Sequence, residues 1–360
     1  MFYKVLFSED LILSSKRTVA VSLRLLALVI AFIIALIFSF ATVIGAENNK
    51  NGERERYGEA IDRMRRGFEE SAESIDLSDL EVKPEELGKL FSDATKDTPY
   101  LFYVSNNLSY SYRTGGCVVS VKPKYTMNKI EAEAAVLYCR GEVEKMARLL
   151  CSLETELQTL IGAHDLICHR FTYDTTLESN NIYSFLKTGR GTCQGYTWTY
   201  MALLRELGIE CHYVASDSIA HIWLMVKIDG EWYHSDVTWD DPPRLEGSGE
   251  QSRAHLLFSD DKANADGYTD RYGAADIKCD SKIYDDTKPI SDKHFCTFSG
   301  DVDHSGQTNL CDLLLLRLHL ERENIRIQNL CLVCADADGD LNLDESDVEY
   351  VRSILLEGSR

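Results

Sequence analysis

The sequence predicts an α+β protein that ends in a small, duplicated helical unit. Two observations carry this prediction. The stretch from Ile209 to Trp239 contains strand-like runs on both sides of an Asp-Gly pair, a strong signal for a β-hairpin, and an apolar helical pattern precedes it. Near the C-terminus, two acidic twelve-residue segments recur 35 residues apart, each followed by an apolar helical pattern. A chain of 360 residues has room for two such folded units.

The charge balance restricts the partners. The chain has 38 basic and 58 acidic residues, a formal net charge of -20. This charge repels phosphate backbones and anionic lipid surfaces, so we expect no nucleic-acid partner.

An apolar segment near the N-terminus predicts contact with a membrane. Leu25 to Ile44 has no charge, proline or glycine, and as a helix it is long enough to cross a hydrocarbon layer of about 30 Å. The basic residues before it place 1–24 in the cytoplasm and the chain after Ala46 outside, at the cell surface or secreted. Segment 25–46 is predicted to be a transmembrane anchor or a cleaved signal sequence, and both interpretations stay open.

Shifts in composition predict the remaining boundaries. Short strands, among them Leu101 to Val104, alternate with helical patterns before the hairpin region. The predicted units are a linker at 47–56, an N-terminal α+β region at 57–159, a catalytic domain at 160–260, a connector at 261–298 and the duplicated unit at 299–360.

The 11 cysteines include one pair at close spacing. Their odd number leaves at least one unpaired, and an extracytoplasmic location would permit disulfides among the rest. Cys331 and Cys334 are spaced like a metal clip, but no second such pair lies nearby. This favours a disulfide or buried thiols over zinc.

A candidate nucleophile lies where a helix is predicted to begin. The segment GRGTCQGY, from Gly189 to Tyr196, precedes an apolar helical pattern that ends at Gly208. Cys193 is thus expected at the helix N-terminus, where free amides and the helix dipole favour the thiolate. Alone the signal is weak, because most such cysteines are small apolar residues.

The hairpin supplies two partners for this cysteine. Its two-residue loop, Asp229-Gly230, fixes a strand pairing that makes His221 and Asp236 diagonal neighbours on one face, within hydrogen-bonding reach. The opposite face is apolar and suited to the core: Ile222, Leu224, Val226 and Ile228. We therefore expect the face of His221 to meet the helix of Cys193.

This arrangement predicts acyl transfer. Cys193 would attack an acyl carbon, His221 would move the proton, and Asp236 would orient the imidazole. His212 and His234 compete for the role of base. His234 pairs with Met225 and has no acid at the matching diagonal, and both histidines are interpreted as structural.

These motifs resemble the transglutaminase-like superfamily. GTCQGY, AHIW and DGEWYHSDVTWDDP are similar to its cysteine, histidine and aspartate motifs, in the family's order. The likeness extends from Phe171 through the HLLFSD segment at His255. Leu224 departs from the pattern, since many relatives carry asparagine there.

The resemblance implies a papain-like α+β core with Cys193, His221 and Asp236 as catalytic residues. It implies acyl transfer or hydrolysis of protein or peptide amides through a cysteine thioester. Cross-linking enzymes, cysteine peptidases and inactive binding domains all occur among such relatives, and these alternatives stay open.

The duplicated acidic loops predict two calcium ions. Oxygen-bearing side chains recur at positions 1, 3, 5, 9 and 12, with a backbone carbonyl at position 7, which suits the many-oxygen shell of Ca²⁺. The predicted ligands are Asp301, Asp303, Ser305, Gln307, Asn309 and Asp312 in the first loop, and Asp336, Asp338, Asp340, Asn342, Asp344 and Asp347 in the second. Position 6 needs a sharp turn, and it holds Gly306 in the first loop but Leu341 in the second.

This duplication of loop and helix resembles a type I dockerin. The resemblance implies two F-hand-like calcium loops that dock onto the cohesin of a scaffolding protein. Positions 10 and 11, Leu310-Cys311 and Glu345-Ser346, depart from the usual small polar pair, so the type of cohesin stays open.

Overall fold

The computed structural model describes residues 53–151, 153, 155–241, 252–274, 277–286, 299–321 and 330–357. The predicted cytoplasmic segment and membrane anchor lie outside these residues. None of the helices in the described ranges combines the length and the apolar character of a membrane span. The last residues of the predicted linker, 53–56, already belong to the first helix.

The N-terminal region packs helices against a three-stranded antiparallel sheet with the strand order β1-β3-β2. Its elements are α1 (53–69), β1 (Ile75–Asp76), a 3₁₀ turn (Pro84–Glu86), α2 (Leu87–Thr95), β2 (Val104–Tyr112) and β3 (Val118–Tyr125). The strand predicted at Leu101 to Val104 is wrong, because β2 begins at Val104. Leu101 and Tyr103 are buried from a turn, so their apolar character reflects packing rather than strand periodicity.

Helix α3 (Lys129–Leu150) joins the N-terminal region to the central core. Asn128 accepts the N–H of Glu131 and forms a capping box that fixes where the helix begins. Ala132, in the first turn, packs into the N-terminal core, whereas the helix from Cys139 onward packs into the central one. The two cores therefore share this helix.

The central core places helices against a five-stranded antiparallel sheet with the strand order β10-β6-β7-β8-β9. The helices are α4 (Glu156–Arg170), α5 (Ile182–Thr188), α6 (Cys193–Glu206) and α7 (Asp260–Ala265). The sheet strands are β6 (Cys211–Ser216), β7 (His221–Ile228), β8 (Glu231–Ser235), β9 (Leu256–Phe258) and β10 (Arg271–Gly273). A short parallel pair, β4 (Thr172–Tyr173) and β5 (Arg190–Gly191), leads into α6.

The hairpin has the predicted register, but its two faces are covered differently from the prediction. Strands β7 and β8 pair Ile228 with Glu231 and continue in step to Leu224 and Ser235. Helix α6 packs on the apolar face of β7, where Tyr200 Oη lies 3.3 Å from Ser235 Oγ. Contrary to the expectation, the body of α6 therefore covers the apolar face and not the face of His221, whereas Cys193, the first residue of α6, contacts His221, the first residue of β7. Both faces of this sheet are buried, so alternation alone does not reveal which one the helix covers.

The predicted connector at 261–298 also needs correction at its start. Strand β10 pairs with β6, and Tyr268 is fully buried in a small core with Trp223, Met225 and Phe258. This core covers the face of β7 that carries His221. The polar composition after Asp260 conceals these packed residues, because only a few of them face inward.

The C-terminal unit consists of two loop-helix repeats around an apolar cluster of its own. Its helices are α8 (Leu310–Glu321), α9 (Leu332–Ala335) and α10 (Glu345–Glu357). The unit also contacts the central core. Arg170 donates to the carbonyl of Gly339 over 2.7 Å, and Val333 and Leu341 pack into the central apolar cluster.

Candidate active site

Cys193 is the first residue of α6, and its position is fixed by the elements around it. The backbone N–H of Thr192, the N-cap, donates to the carbonyl of Ser179 over 2.9 Å. In the first turn, a Cβ on Gly195 would lie 2.7 Å from Phe185 of α5. Only glycine lets this turn pack so closely against α5. The thiol therefore lies at the end of the helix where backbone N–H groups lack acceptors inside the helix.

His221 and Asp236 form the predicted pair. His221 Nε2 lies 2.6 Å from Asp236 Oδ2, and both side chains are buried, with exposed fractions of 6% and 1%. The other oxygen, Oδ1, accepts the backbone N–H groups of Thr238 at 3.0 Å and Trp239 at 3.3 Å. The carboxylate is thus held by the turn that follows it, and the imidazole is held by the carboxylate.

The environment favours the protonated form of His221. Burial by itself would lower the pKa of this histidine, but the charge and hydrogen bond of Asp236, together with the Cys193 side chain, raise its pKa to about 10. Because Nε2 is bonded to Asp236, Nδ1 is the ring nitrogen that remains for Cys193. The imidazole also stacks on Trp223 and Trp239, with ring centroids 5.8 Å and 5.1 Å away.

Residues 152–237 match the family model described as the transglutaminase-like superfamily. The match spans less than half of the chain and includes all three residues of this site. The central core is therefore transglutaminase-like.

The solved structures that match parts of the chain include one transglutaminase and two proteins described as proteases. The first, a TGase, has a TM-score of 0.29 and 11% identity, over 42% of this chain and 48% of its own. A proposed cysteine protease from Cytophaga hutchinsonii has a TM-score of 0.24 and 12% identity, over 37% and 61%. A proposed protease from Parabacteroides distasonis has a TM-score of 0.23 and 13% identity, over 45% and 38%. The chain thus spans less than two thirds of the length of each. No curated protein matches it.

Tyr268 is a site residue that the sequence did not indicate. Its hydroxyl donates to Asp236 Oδ2 over 2.8 Å, beside the bond from His221. Burial, reinforced by the charge of Asp236, raises the pKa of Tyr268 far above its ordinary value, so the hydroxyl stays a donor. It follows the domain boundary predicted at 260, and no motif pointed to it.

A buried charge network supports the turn after Asp236. Asp240 Oδ2 lies 3.1 Å from Nε2 of His164, whose Nδ1 lies 3.0 Å from Asp165. Arg253 closes the network with two bonds to Asp165. Burial alone would lower the pKa of His164, but the nearby Cys168 and the bonds from both carboxylates raise it well above the ordinary value. The charge on His164 therefore balances its neighbours.

The two competing histidines have structural contacts. His234 Nδ1 accepts the indole N–H of Trp223 at 3.0 Å, while its Nε2 lies 3.2 Å from Asp260. His212 lies 3.4 Å from Asp97 and packs beside Trp232. Both carry an acid from outside the hairpin, which strand register alone did not predict.

A groove of about 700 Å³ lies between the N-terminal region and the first turns of α6. One wall belongs to the N-terminal region and includes Phe91 of α2. The other belongs to the transglutaminase-like core, where Trp198 stacks on Tyr213 at a ring distance of 5.3 Å. Gln194, the residue next to Cys193, lies at its edge. The N-terminal region thus forms part of the approach to the site.

The two acidic loops repeat one hydrogen-bonding pattern. In the first, the N–H of Asp303 donates to Asp312 Oδ1 over 3.1 Å. In the second, the N–H of Asp338 donates to Asp347 Oδ1 over 3.3 Å. Carboxylate oxygens gather within 4.8 Å of one another in each loop, from Asp301, Asp303 and Asp312 in the first and from Asp336, Asp338 and Asp340 in the second.

The second loop contains a buried carboxylate oxygen without a partner in the described residues. Asp336 is fully buried, and its Oδ1 accepts no hydrogen bond there. Burial first, and then the nearby acids, raise the pKa of Asp336 to about 7. Such an oxygen fits a cation ligand. Leu341 adopts the positive φ predicted for position 6, 69°, and Gly306 adopts 87°.

Proposed function

We propose that this chain is a cysteine enzyme that transfers or hydrolyses acyl groups of protein or peptide amides through a thioester on Cys193. The observation that carries the proposal is the 2.6 Å bond between His221 and Asp236, together with the contact between His221 and the side chain of Cys193. An imidazole held in this way, with its second nitrogen towards a thiol, is the arrangement that nucleophilic catalysis requires.

The chemistry follows from the positions of the three groups. Cys193 Sγ attacks the carbonyl carbon of an amide, and N–H groups of the first turn of α6 stabilise the negative oxygen. His221, as imidazolium, gives its proton to the leaving nitrogen when the C–N bond breaks. The neutral imidazole then accepts a proton from the incoming amine or water, and attack on the thioester releases Cys193. Asp236 keeps the ring oriented and stabilises its charge throughout.

The groove supports a polypeptide substrate. Its lining mixes aromatic rings with the side-chain amides of Asn106, Asn180 and Asn181. Such amides both donate and accept hydrogen bonds, which suits the N–H and C=O groups of an extended peptide. A substrate that lies along the groove would bring an amide past Gln194 to Cys193.

We further propose that the C-terminal unit binds two calcium ions and docks onto the cohesin of a scaffolding protein outside the cytoplasm. The clustered carboxylates and the partnerless oxygen of Asp336 support the calcium. Exposed apolar side chains on its helices, Leu310, Leu314 and Tyr350, support a protein partner. The apolar segment from Leu25 to Ile44 supports the location. Calcium-dependent binding to purified cohesins, reversed by a chelator, would test the tether.

The reaction itself is tested with a protein digest and a labelled primary amine. The full-length chain is incubated with both, and the products are analysed by mass spectrometry. Amine attached to glutamine side chains identifies transamidation, deamidated side chains identify hydrolysis, and new peptide termini identify proteolysis. The absence of all three products would overturn the proposal in favour of a binding domain.

Two variants make this test specific. Cys193→Ala should give none of these products. Cys151→Ala removes an exposed cysteine at the end of α3 and should react like the wild type. Equal loss in both variants would assign the effect to folding rather than to the nucleophile.

A further inference from the structure

Three side chains with metal-binding atoms lie together in the C-terminal unit. None of them is one of the predicted calcium ligands. They are His304, Cys331 and Cys334, and one ligand atom from each lies within 4.8 Å of the other two. His304 Nε2 is 3.3 Å from Cys334 Sγ. Zinc binds sulfur at about 2.3 Å and imidazole nitrogen at about 2.0 Å, so the edges of a tetrahedral site are roughly 3.5 Å long. The distance between His304 and Cys334 is close to this edge length, and the third ligand atom lies within 4.8 Å of both.

The backbone brings these residues together. Cys331 donates its N–H to the carbonyl of Val302 over 2.9 Å, and Gly300 donates to the carbonyl of Cys334 over 3.0 Å. These two bonds fasten the start of the first acidic loop to α9. His304 then turns towards the cysteines with a positive φ of 55°. The backbone therefore fixes the positions of all three residues, and only the side chain of His304 lies at the surface.

The two cysteines have the local geometry of a metal clip. Cys331 caps α9 and Cys334 lies one turn later, where its backbone N–H donates to Cys331 Sγ over 3.4 Å. Such N–H···S bonds stabilise a thiolate bound to a metal. Both cysteines are buried, whereas His304 is exposed, so an ion here would lie at the surface with one side open.

We propose that His304, Cys331 and Cys334 bind a zinc ion, with the fourth position left to water or an external ligand. Nitrogen and sulfur ligands in this number favour zinc over calcium, which prefers oxygen. His304 occupies position 4 of the first acidic loop, which is not among the predicted calcium positions, so the chain could hold both kinds of ion at once.

The zinc ion would fasten the C-terminal unit at its contact with the core. Cys331 and Cys334 belong to the same apolar cluster as the helices behind the candidate active site. A metal that joins them to His304 would tie the first acidic loop to that contact. The proposal does not depend on the reaction assigned to Cys193.

Cobalt titration tests the site in the full-length chain. The protein is kept reduced and in excess calcium, which occupies oxygen-rich sites, and Co²⁺ is added as a probe. The expected result is one Co²⁺ per chain with the intense absorption of tetrahedral cobalt and a thiolate-to-cobalt charge-transfer band. One equivalent of Zn²⁺ should remove both signals.

Variants assign the signal to these residues. Cys334→Ser should abolish the charge-transfer band or shift it with a large loss of affinity. His304→Asn, which tolerates the left-handed backbone, should weaken binding on the order of 100-fold. Cys151→Ser, which alters an exposed cysteine outside this unit, should leave the charge-transfer band and the affinity for cobalt unchanged.

Three results would overturn the proposal. The first is a reduced wild-type chain without a thiolate-to-cobalt band. The second is a wild-type band and affinity retained in both Cys334→Ser and His304→Asn. The third is a Cys331–Cys334 disulfide in protein isolated without reductant. If Cys334→Ser fails to fold, His304→Asn still decides, because its side chain is exposed.

Discussion

Two buried carboxylates, one in the central core and one in the C-terminal unit, differ in how their negative charge is compensated. Asp236, in the central core, accepts hydrogen bonds from His221, Tyr268 and two backbone N–H groups. Asp336, in the second acidic loop, is equally buried. Its Oδ2 accepts the N–H of Leu341, but its Oδ1 has no partner in the described residues.

This difference separates a carboxylate that the chain itself compensates from one that would be compensated by the calcium ion proposed above. The chain itself satisfies Asp236, and the imidazole beside it is charged over a wide pH range. Asp336 lacks such compensation, and burial with nearby acids raises its pKa. A carboxylate left in this state stabilises the fold only when a cation supplies the missing partner.

Breaking the bond between His221 and Asp236 should have the largest effect, and this effect should be on turnover. Asp236→Asn should reduce turnover by about 10⁴-fold, because an amide holds His221 in the wrong tautomer. The fold should persist, since the amide oxygen can still accept the backbone N–H groups of Thr238 and Trp239. Steady-state kinetics beside thermal unfolding measures both effects. Unchanged turnover would show that the pair is not a catalytic dyad.

The same variant has a signature in pH. His221 has a raised pKa, so its contribution to stability is complete below about pH 6.5 and is lost as the pH rises through about 10. Proton donation from His221 to the leaving group should be lost over the same alkaline pH range, so kcat should fall there. Asp236→Asn should move this fall to lower pH, as measured from the pH dependence of residual kcat. If the alkaline fall in kcat stays at the same pH in Asp236→Asn, then Asp236 does not raise the pKa of His221.

The charge network behind the site should show the next largest effect. Asp165→Asn should lower the free energy of unfolding by about 3–5 kcal/mol, because it removes a buried negative charge that is bonded to both Arg253 and His164. Asp79→Asn is the matched control, since Asp79 binds Arg63 through two bonds at the surface, where solvent screens the pair, and it should lower the free energy of unfolding far less. Denaturant unfolding compares the two, and equal losses would contradict the account.

For Asp336, we expect the effect of a substitution on stability to depend on calcium. Without calcium, Asp336→Asn should leave the free energy of unfolding unchanged or raise it by about 1 kcal/mol, because it removes an uncompensated buried charge. With calcium, the same variant should lose the stabilisation that the ion gives to that loop. Thermal unfolding with calcium and with a chelator tests both signs. A large loss in the chelator would show that the chain already satisfies this carboxylate.

Leu341→Gly should have the smallest effect. Glycine relieves a positive φ that costs leucine about 1–2 kcal/mol, which favours tighter calcium binding to the second loop by roughly 5- to 30-fold. It also deletes a side chain that is 3% exposed and packs against the central core. Calorimetry should therefore show tighter calcium binding while unfolding shows no net gain in stability. Weaker binding to the second loop would show that packing, rather than strain, controls it.

The sequence predicted local features well where a single element carries them. The Asp229-Gly230 turn fixed the strand register, and this register placed His221 beside Asp236. The positive φ of Leu341 followed from loop position alone. Such features depend on spacing along the chain, which the sequence contains directly.

Features that depend on packing between distant elements were missed. Alternation along β7 did not reveal which face α6 covers, because both faces are buried. Tyr268 reaches Asp236 from beyond the expected end of the domain. His304 approaches Cys334 from the first acidic loop, far from this cysteine in the sequence. In each case, the contact depends on the fold of the intervening chain rather than on a local pattern.

Trapping the acyl-enzyme tests most directly whether the reaction passes through a thioester on Cys193. The full-length chain is mixed with a reactive peptide substrate, quenched in acid, digested and mapped by mass spectrometry. We expect an acyl group on Cys193 that hydroxylamine removes, as it removes a thioester. Products formed without acylation of Cys193, or an acyl group on another residue, would contradict it.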